Sequence, residues 1–195
     1  MSRSDRFFAI YVKPDSAEAI PSALNEFARF AQYTLILNGK DTADVCIDGN
    51  AQSAVSRLTL EESLRNAQRI AFSIWSKEST GLFVTISRAD GVSRIDFSLD
   101  GTTQSEGAAL VEAAINTFVL CASGRFATAI IIDPSGHFAE SPWPQMILGT
   151  CEVEFAAPAR VLVSRGMTAG MNINLNKYTC RYLVGQVIEV VPLQT

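Results

Sequence analysis

A chain of 195 residues suits one domain of ordinary size, and 48% hydrophobic against 18% charged residues supply a core and exclude a disordered chain. A net charge of −4 speaks against non-specific nucleic-acid binding. Cys46, Cys121, Cys151 and Cys180 lie far apart in a chain able to build its own core, so free thiols in a reducing compartment are expected, without a disulfide framework.

The opening run Phe7 to Val12 reads as a strand ended at Lys13-Pro14-Asp15. It is too short, and lacks the small-residue cleavage site, for a signal peptide. Leu24, Phe27, Ala28 and Ala31 recur at helical spacing, and Pro21 fits a first turn, so a helix is expected from near Pro21 to about Gln32. Tyr33 to Leu37 and Ala43 to Asp48 are β-rich and flank a segment starting at Asn38-Gly39, which predicts a hairpin closed by Asp48-Gly49-Asn50. The small, polar stretch through about Arg57 reads as a loop. It is the place where a hinge near 49–58 would divide an otherwise single domain, residues 1–195, into two lobes.

Thr59 and Glu62 have capping-box spacing, and Leu60, Leu64, Ala67, Ala71 and Ile74 mark one face of an expected second helix. Leu82 to Arg88 and Val92 to Leu99 flank Asp90-Gly91. A two-residue turn there pairs Ile86 with Ile95, Val84 with Phe97 and Leu82 with Leu99, leaving Arg94, Asp96 and Ser98 on a wet face. Thr103 and Glu106 form a second capping box, opening an apolar helix that Ser123-Gly124 ends and that is expected to be the most buried. Its apolar stretch carries Glu112 and Asn116 and falls short of a membrane span.

Phe126 to Asp133 reads as a strand covered on both faces and turned by Asp133-Pro134-Ser135-Gly136. Ser141-Pro142-Trp143-Pro144 is expected to be irregular, and beyond Gly149 the chain reads β. The sum is an α+β fold, mainly antiparallel, with about three packed helices.

The lone histidine, His137, follows that turn near Glu140. No G-x-S-x-G elbow, C-x-x-C pair or phosphate loop accompanies it, and the Gly166/Gly170 pair reads as a loop or bulge. No cofactor and no metal are expected. Glu152 and Glu154 share one face of an expected strand, as do Asn172, Asn174 and Asn176, and both sets read as solvated faces. Arg65 and Arg69 lie one helical turn apart, too few for a basic groove.

Net charge is −1 over residues 1–98, −6 over 99–154 and +3 over 155–195. The acidic middle favours a small cytoplasmic binding protein for a basic protein partner, acting by occlusion as a bacterial immunity protein occludes a toxin or enzyme. Trp143, held between prolines, is its expected anchor, with His137, Glu140, Glu152 and Glu154 as contacts. An alternative is a hydrolase or transferase with an uncommon site around Asp133, His137 and Glu140, reaching to Cys151. A third is a structural or homo-oligomeric subunit, suggested by 13 charges in residues 99–195 against 23 in 1–98. Nucleic acid and membrane are not expected partners.

Overall fold

The computed structural model describes residues 6–12, 18–36, 40–77, 80–89, 91–123, 127–138, 140–166, 170–183 and 186–193. In chain order the elements are β1 (Phe7–Val12), α1 (Ala19–Ala31), β2 (Tyr33–Thr34), β3 (Thr42–Ile47), β4 (Ser53–Ser56), α2 (Arg57–Asn66), β5 (Arg69–Ser76), β6 (Gly81–Ala89), β7 (Val92–Ser98), α3 (Gln104–Ser123), β8 (Ala127–Asp133), α4 (Trp143–Ile147), β9 (Arg160–Ser164), β10 (Tyr178–Tyr182) and β11 (Val187–Pro192). The strands form one sheet in the order β10-β11-β9-β8-β1-β7-β6-β5-β3-β4, with β2 also on β5. Every ladder is antiparallel. The fold is α+β.

β1 and β8 are buried at every position, which is why both read as continuous apolar runs and not as alternations. On one face Phe8, Ile10, Phe72, Ile74, Ile86, Ile95, Phe97, Ile130 and Ile132 pack beneath α1, α2 and α3. The Phe27 ring of α1 sits 4.4 Å from Phe97 and 5.4 Å from Phe8. On the other face Phe7, Ala9, Tyr11, Ala129, Ile131, Val161 and Val163 lie beneath α4 and the loop residues Val153, Phe155 and Met171.

The β6–β7 hairpin has the expected register, Val84 against Phe97 and Ile86 against Ile95. The second capping box forms as well: Thr103 N donates to Glu106 Oε2 at 2.7 Å, and Glu106 N to Thr103 Oγ1 at 3.3 Å.

Elsewhere the structure differs from the sequence reading. The expected β2–β3 hairpin is absent because Tyr33 and Thr34 pair with Ser76 and Trp75 of β5; Asn38-Gly39 lies outside the described residues. The hairpin is formed one element later, between β3 and β4, around Asp48 (φ 50°) and Gly49 (φ 80°). The stretch read as a loop and hinge therefore contains β4. α2 starts three residues earlier than expected, its N-cap being Ser56 and not Thr59, with Ser56 Oγ accepting from Thr59 N, so Thr59 and Glu62 make no capping box.

α2 also stops at Asn66, where the Arg88 guanidinium donates to the carbonyls of Leu64 and Ala67 and caps its last turn. Ala71 and Ile74 belong to β5 instead. Ile70, Phe72 and Ile74 alternate inward there and Ala71 turns to the opposite side, so the strand splits the Ala67, Ala71 and Ile74 series that helical spacing placed on one face. Arg69 is thus a strand residue, not one helical turn from Arg65, which pairs with Glu18 at 2.8 Å.

α3 is not the most buried helix, since α1 buries a larger share of its positions. It lies outside the sheet, packed on α1 and β8 along one face, and Leu120 is exposed on the other. Among the described residues it is the one helix long and apolar enough to cross a membrane by length and composition, and its buried side is that of a core helix. Beyond Gly149 the chain is only partly β. Residues 151–159 and 170–177 are loops, tied by one parallel bridge, Glu152 to Asn172.

Candidate partner-binding face

The loops over β1, β8 and β9 leave the same face of the sheet bare at β5, β6 and β7. Strand alternation sends Ile70, Phe72, Ile74, Val84, Ile86, Ile95 and Phe97 to the helix side. The opposite side carries, in register across three strands, Arg69, Ser87 and Arg94, then Ala71, Thr85 and Asp96. Two aromatic residues interrupt this polar surface. The Trp75 ring lies over Gly81, where a Cβ would meet it at 3.1 Å, so glycine is what lets the indole lie flat on the neighbouring strand. Phe83 stands out at 53% exposure.

Phe83 separates two cavities. One, of ≈ 560 Å³, lies along β3 and β5 and is lined by Lys40, Thr42, Asp44, Gln52, Ser73 and Trp75 among others. The other, of ≈ 390 Å³, is lined by Arg6, Phe7, Thr85, Arg94, Asp96, Ser98 and Asp100. Arg94 donates from Nε to Asp96 Oδ1 at 2.7 Å and holds its guanidinium carbon over the rings of Phe7 and Tyr11, 5.5 and 5.7 Å from their centroids. It marks the seam between bare and roofed sheet. Burial raises the Asp96 carboxyl above the usual range, against the pull of Arg94. Arg6 Nη2 is held by the carbonyls of Leu99 and Thr102. Asp44 and Asp100 have no ion-pair partner among the described residues.

The residues expected to form the contact are placed differently. Trp143 is the main correction: its indole is 1% exposed and Nε1 donates to the Phe138 carbonyl at 2.8 Å. The two prolines do not keep the segment irregular, since Trp143 and Pro144 open α4, whose first turn has no need of a proline N–H. Packed against Phe155 at 6.2 Å, the indole is core and not a projecting anchor.

Glu152 and Glu154 do share a side, but on a loop. Both reach Lys177 Nζ, at 3.1 and 3.4 Å, and Asn174 Nδ2 donates to Glu152. The Asn174 bond and Lys177 hold the Glu152 carboxyl below its usual range. Asn172, Asn174 and Asn176 line no strand face: Asn172 lends its carbonyl to Val153 N and Asn174 bonds Glu152. His137 and Glu140 are exposed.

Asp133 is fully buried, with Oδ1 accepting from Ser135 N, Ser135 Oγ and Gly136 N, and Oδ2 from Phe138 N at 2.7 Å. That carboxylate holds the turn together. Burial pushes the Cys121 thiol up to about 12, which leaves it inert. Among the described residues no three His, Cys, Asp or Glu side chains converge as a metal site. The acidic 99–154 segment makes no single patch: Asp133 is buried, Glu106 caps α3, and Glu152 and Glu154 share Lys177.

The face around Phe83 was missed although a signal existed. Phe83 is the bulky apolar residue at an outward position of a strand whose inward positions, Leu82, Val84 and Ile86, are already apolar.

Compared with known proteins, the chain matches no family model and no curated protein.

Proposed function

We propose that this chain is a protein-binding protein that acts by occlusion, with the bare half of the sheet as its contact face. The observation that carries this reading is Phe83, half exposed between two cavities on strands whose other side is locked into the core. An aromatic side chain on such a backing loses little freedom when a partner covers it, which is what makes aromatic residues binding hot spots. In its finer form the reading is of a cytoplasmic, immunity-type protein that covers a basic toxin or enzyme. Arg6 and Arg94 are already committed to carbonyls and to Asp96, so Asp44 and Asp100, without an ion-pair partner among the described residues, are carboxylates left to meet a partner's cation.

The test is capture of partners from the native lysate by wild type and Phe83→Asp, at low and moderate salt, with thermal melts of both. A stoichiometric partner that is lost at least about tenfold with Phe83→Asp at unchanged melting temperature supports the reading. A partner kept by the variant removes the face from it. No partner at either salt removes the reading.

A further inference from the structure

The sheet ends in two edges that are built differently. Edge strand β10 presents Arg181, which reaches Glu189 of β11, a carboxylate that also takes Arg160 Nε at 2.8 Å. Tyr182 beside it lies under the Arg165 guanidinium, 5.9 Å from the ring centroid. Large charged and aromatic groups of this kind blunt an edge against further pairing.

Edge strand β4 has none of these devices. Its sequence, Ser53-Ala54-Val55-Ser56, holds no charge and no proline, and its register with β3 runs without a bulge from Thr42↔Ser56 to Val45↔Ser53. An antiparallel strand spends only half of its backbone groups on one neighbour. The other half of Ser53, Ala54 and Val55 finds no partner among the described residues. Val55 turns inward to the core while Ser53 and Ala54 are exposed. Just beyond, in the first turn of α2, Leu58 is 79% exposed, the highest value for a large apolar side chain among the described residues. The edge is also continuous with the contact face, because Gln52 at its start lines the cavity that holds Trp75 and Phe83.

An unpaired row of N–H and C=O groups at strand spacing is complementary to one thing, another extended chain. The absence of charge on β4 and the bare Leu58 specify an uncharged segment with an apolar side chain. We infer that the β4 edge takes up an extended, uncharged segment of the partner protein as an added strand, with an apolar side chain of that segment covering Leu58. This rests on the protein-binding reading and names where and how the partner attaches.

The probe is a random-peptide display library panned on the full chain, with the best enriched peptide resynthesised and scanned by N-methylation. The expected result is an uncharged peptide whose affinity falls at alternate N-methylated positions, since every second amide faces the edge. Of the Ser53 to Val55 amides, those that face away from β3 become protected from hydrogen exchange in its complex. Leu58→Glu, a change at an exposed position, weakens the peptide about tenfold, whereas Phe83→Asp leaves it bound. An N-methyl scan without alternation, outward-facing amides of Ser53–Val55 left unprotected, or no enriched peptide would each overturn the inference. If lysate capture depends on Phe83 while the library yields nothing, the edge fails and the protein-binding reading stands. If peptides bind the edge while Phe83→Asp leaves capture intact, the contact face fails and the edge stands.

Discussion

One face of one sheet meets two different fates in this molecule. Over β1, β8 and β9 it is roofed by α4 and the loop residues Val153, Phe155 and Met171, and its residues are Phe7, Ala9, Tyr11, Ile131, Val161 and Val163. Over β5 to β7 it is bare and carries Ser73, Thr85, Ser87, Arg94, Asp96 and Ser98. Strand geometry is the same on both sides, so the difference comes from whether the chain returns across the sheet. Where it does, the outward positions become core; where it does not, they are mostly polar, with Trp75 and the half-exposed Phe83 as the aromatic exceptions.

Removing the roof is the strongest way to break this contrast. Trp143→Ala takes a fully buried indole out from against Phe155 and leaves the Phe138 carbonyl with the Ser141 N–H as its remaining donor among the described residues. A loss of about 3–5 kcal/mol is expected in urea unfolding, the range for a large aromatic cut to alanine in a core. A loss below about 1 kcal/mol would show the roof to be loosely held.

Gly149→Ala attacks the same roof through the backbone. The glycine has φ +74°, and an added Cβ would lie 1.8 Å from the Gly170 carbonyl oxygen, so the two loop segments must part. The expected cost is about 2–4 kcal/mol by denaturant titration, combining overpacking and a left-handed conformation.

At the seam, Arg94→Ala sharpens the comparison by pH. Asp96 is already above its usual pKa because of burial, and without the guanidinium its charged form is held less well still. A loss of about 1–3 kcal/mol is expected near neutrality. The sign follows from proton uptake: a carboxyl with a raised pKa in the folded state binds its proton more tightly there than in the unfolded chain. The folded state is therefore favoured as pH falls through that pKa. The gap between variant and wild type should close in acid, and a gap independent of pH would assign the loss to packing on Phe7 and Tyr11.

The smallest effect belongs to Tyr11, whose buried hydroxyl has no hydrogen-bond partner among the described residues. Tyr11→Phe should gain up to about 1 kcal/mol, seen as a higher melting temperature, because an unsatisfied buried hydroxyl is removed. A loss of that size would mean the hydroxyl is satisfied.

The parts of this protein legible in its sequence are those fixed by neighbours along the chain. The β6–β7 register follows from alternation on both sides of a short turn, the α3 capping box from two side chains three residues apart, and the burial of β1 and β8 from unbroken apolar runs. Tertiary structure decided what depends on a distant partner. β2 leaves β3 for β5 across 41 residues, and Arg88 ends α2 from a strand 21 residues away, where the local period still allowed helix. Trp143 between two prolines has the same local sequence whether it projects or folds inward, and contact with Phe155 and Phe138 drew it in. The bare face around Phe83 was hidden for the same reason: a strand's alternation says which residues share a side, but only the path of the remaining chain says which side is left uncovered.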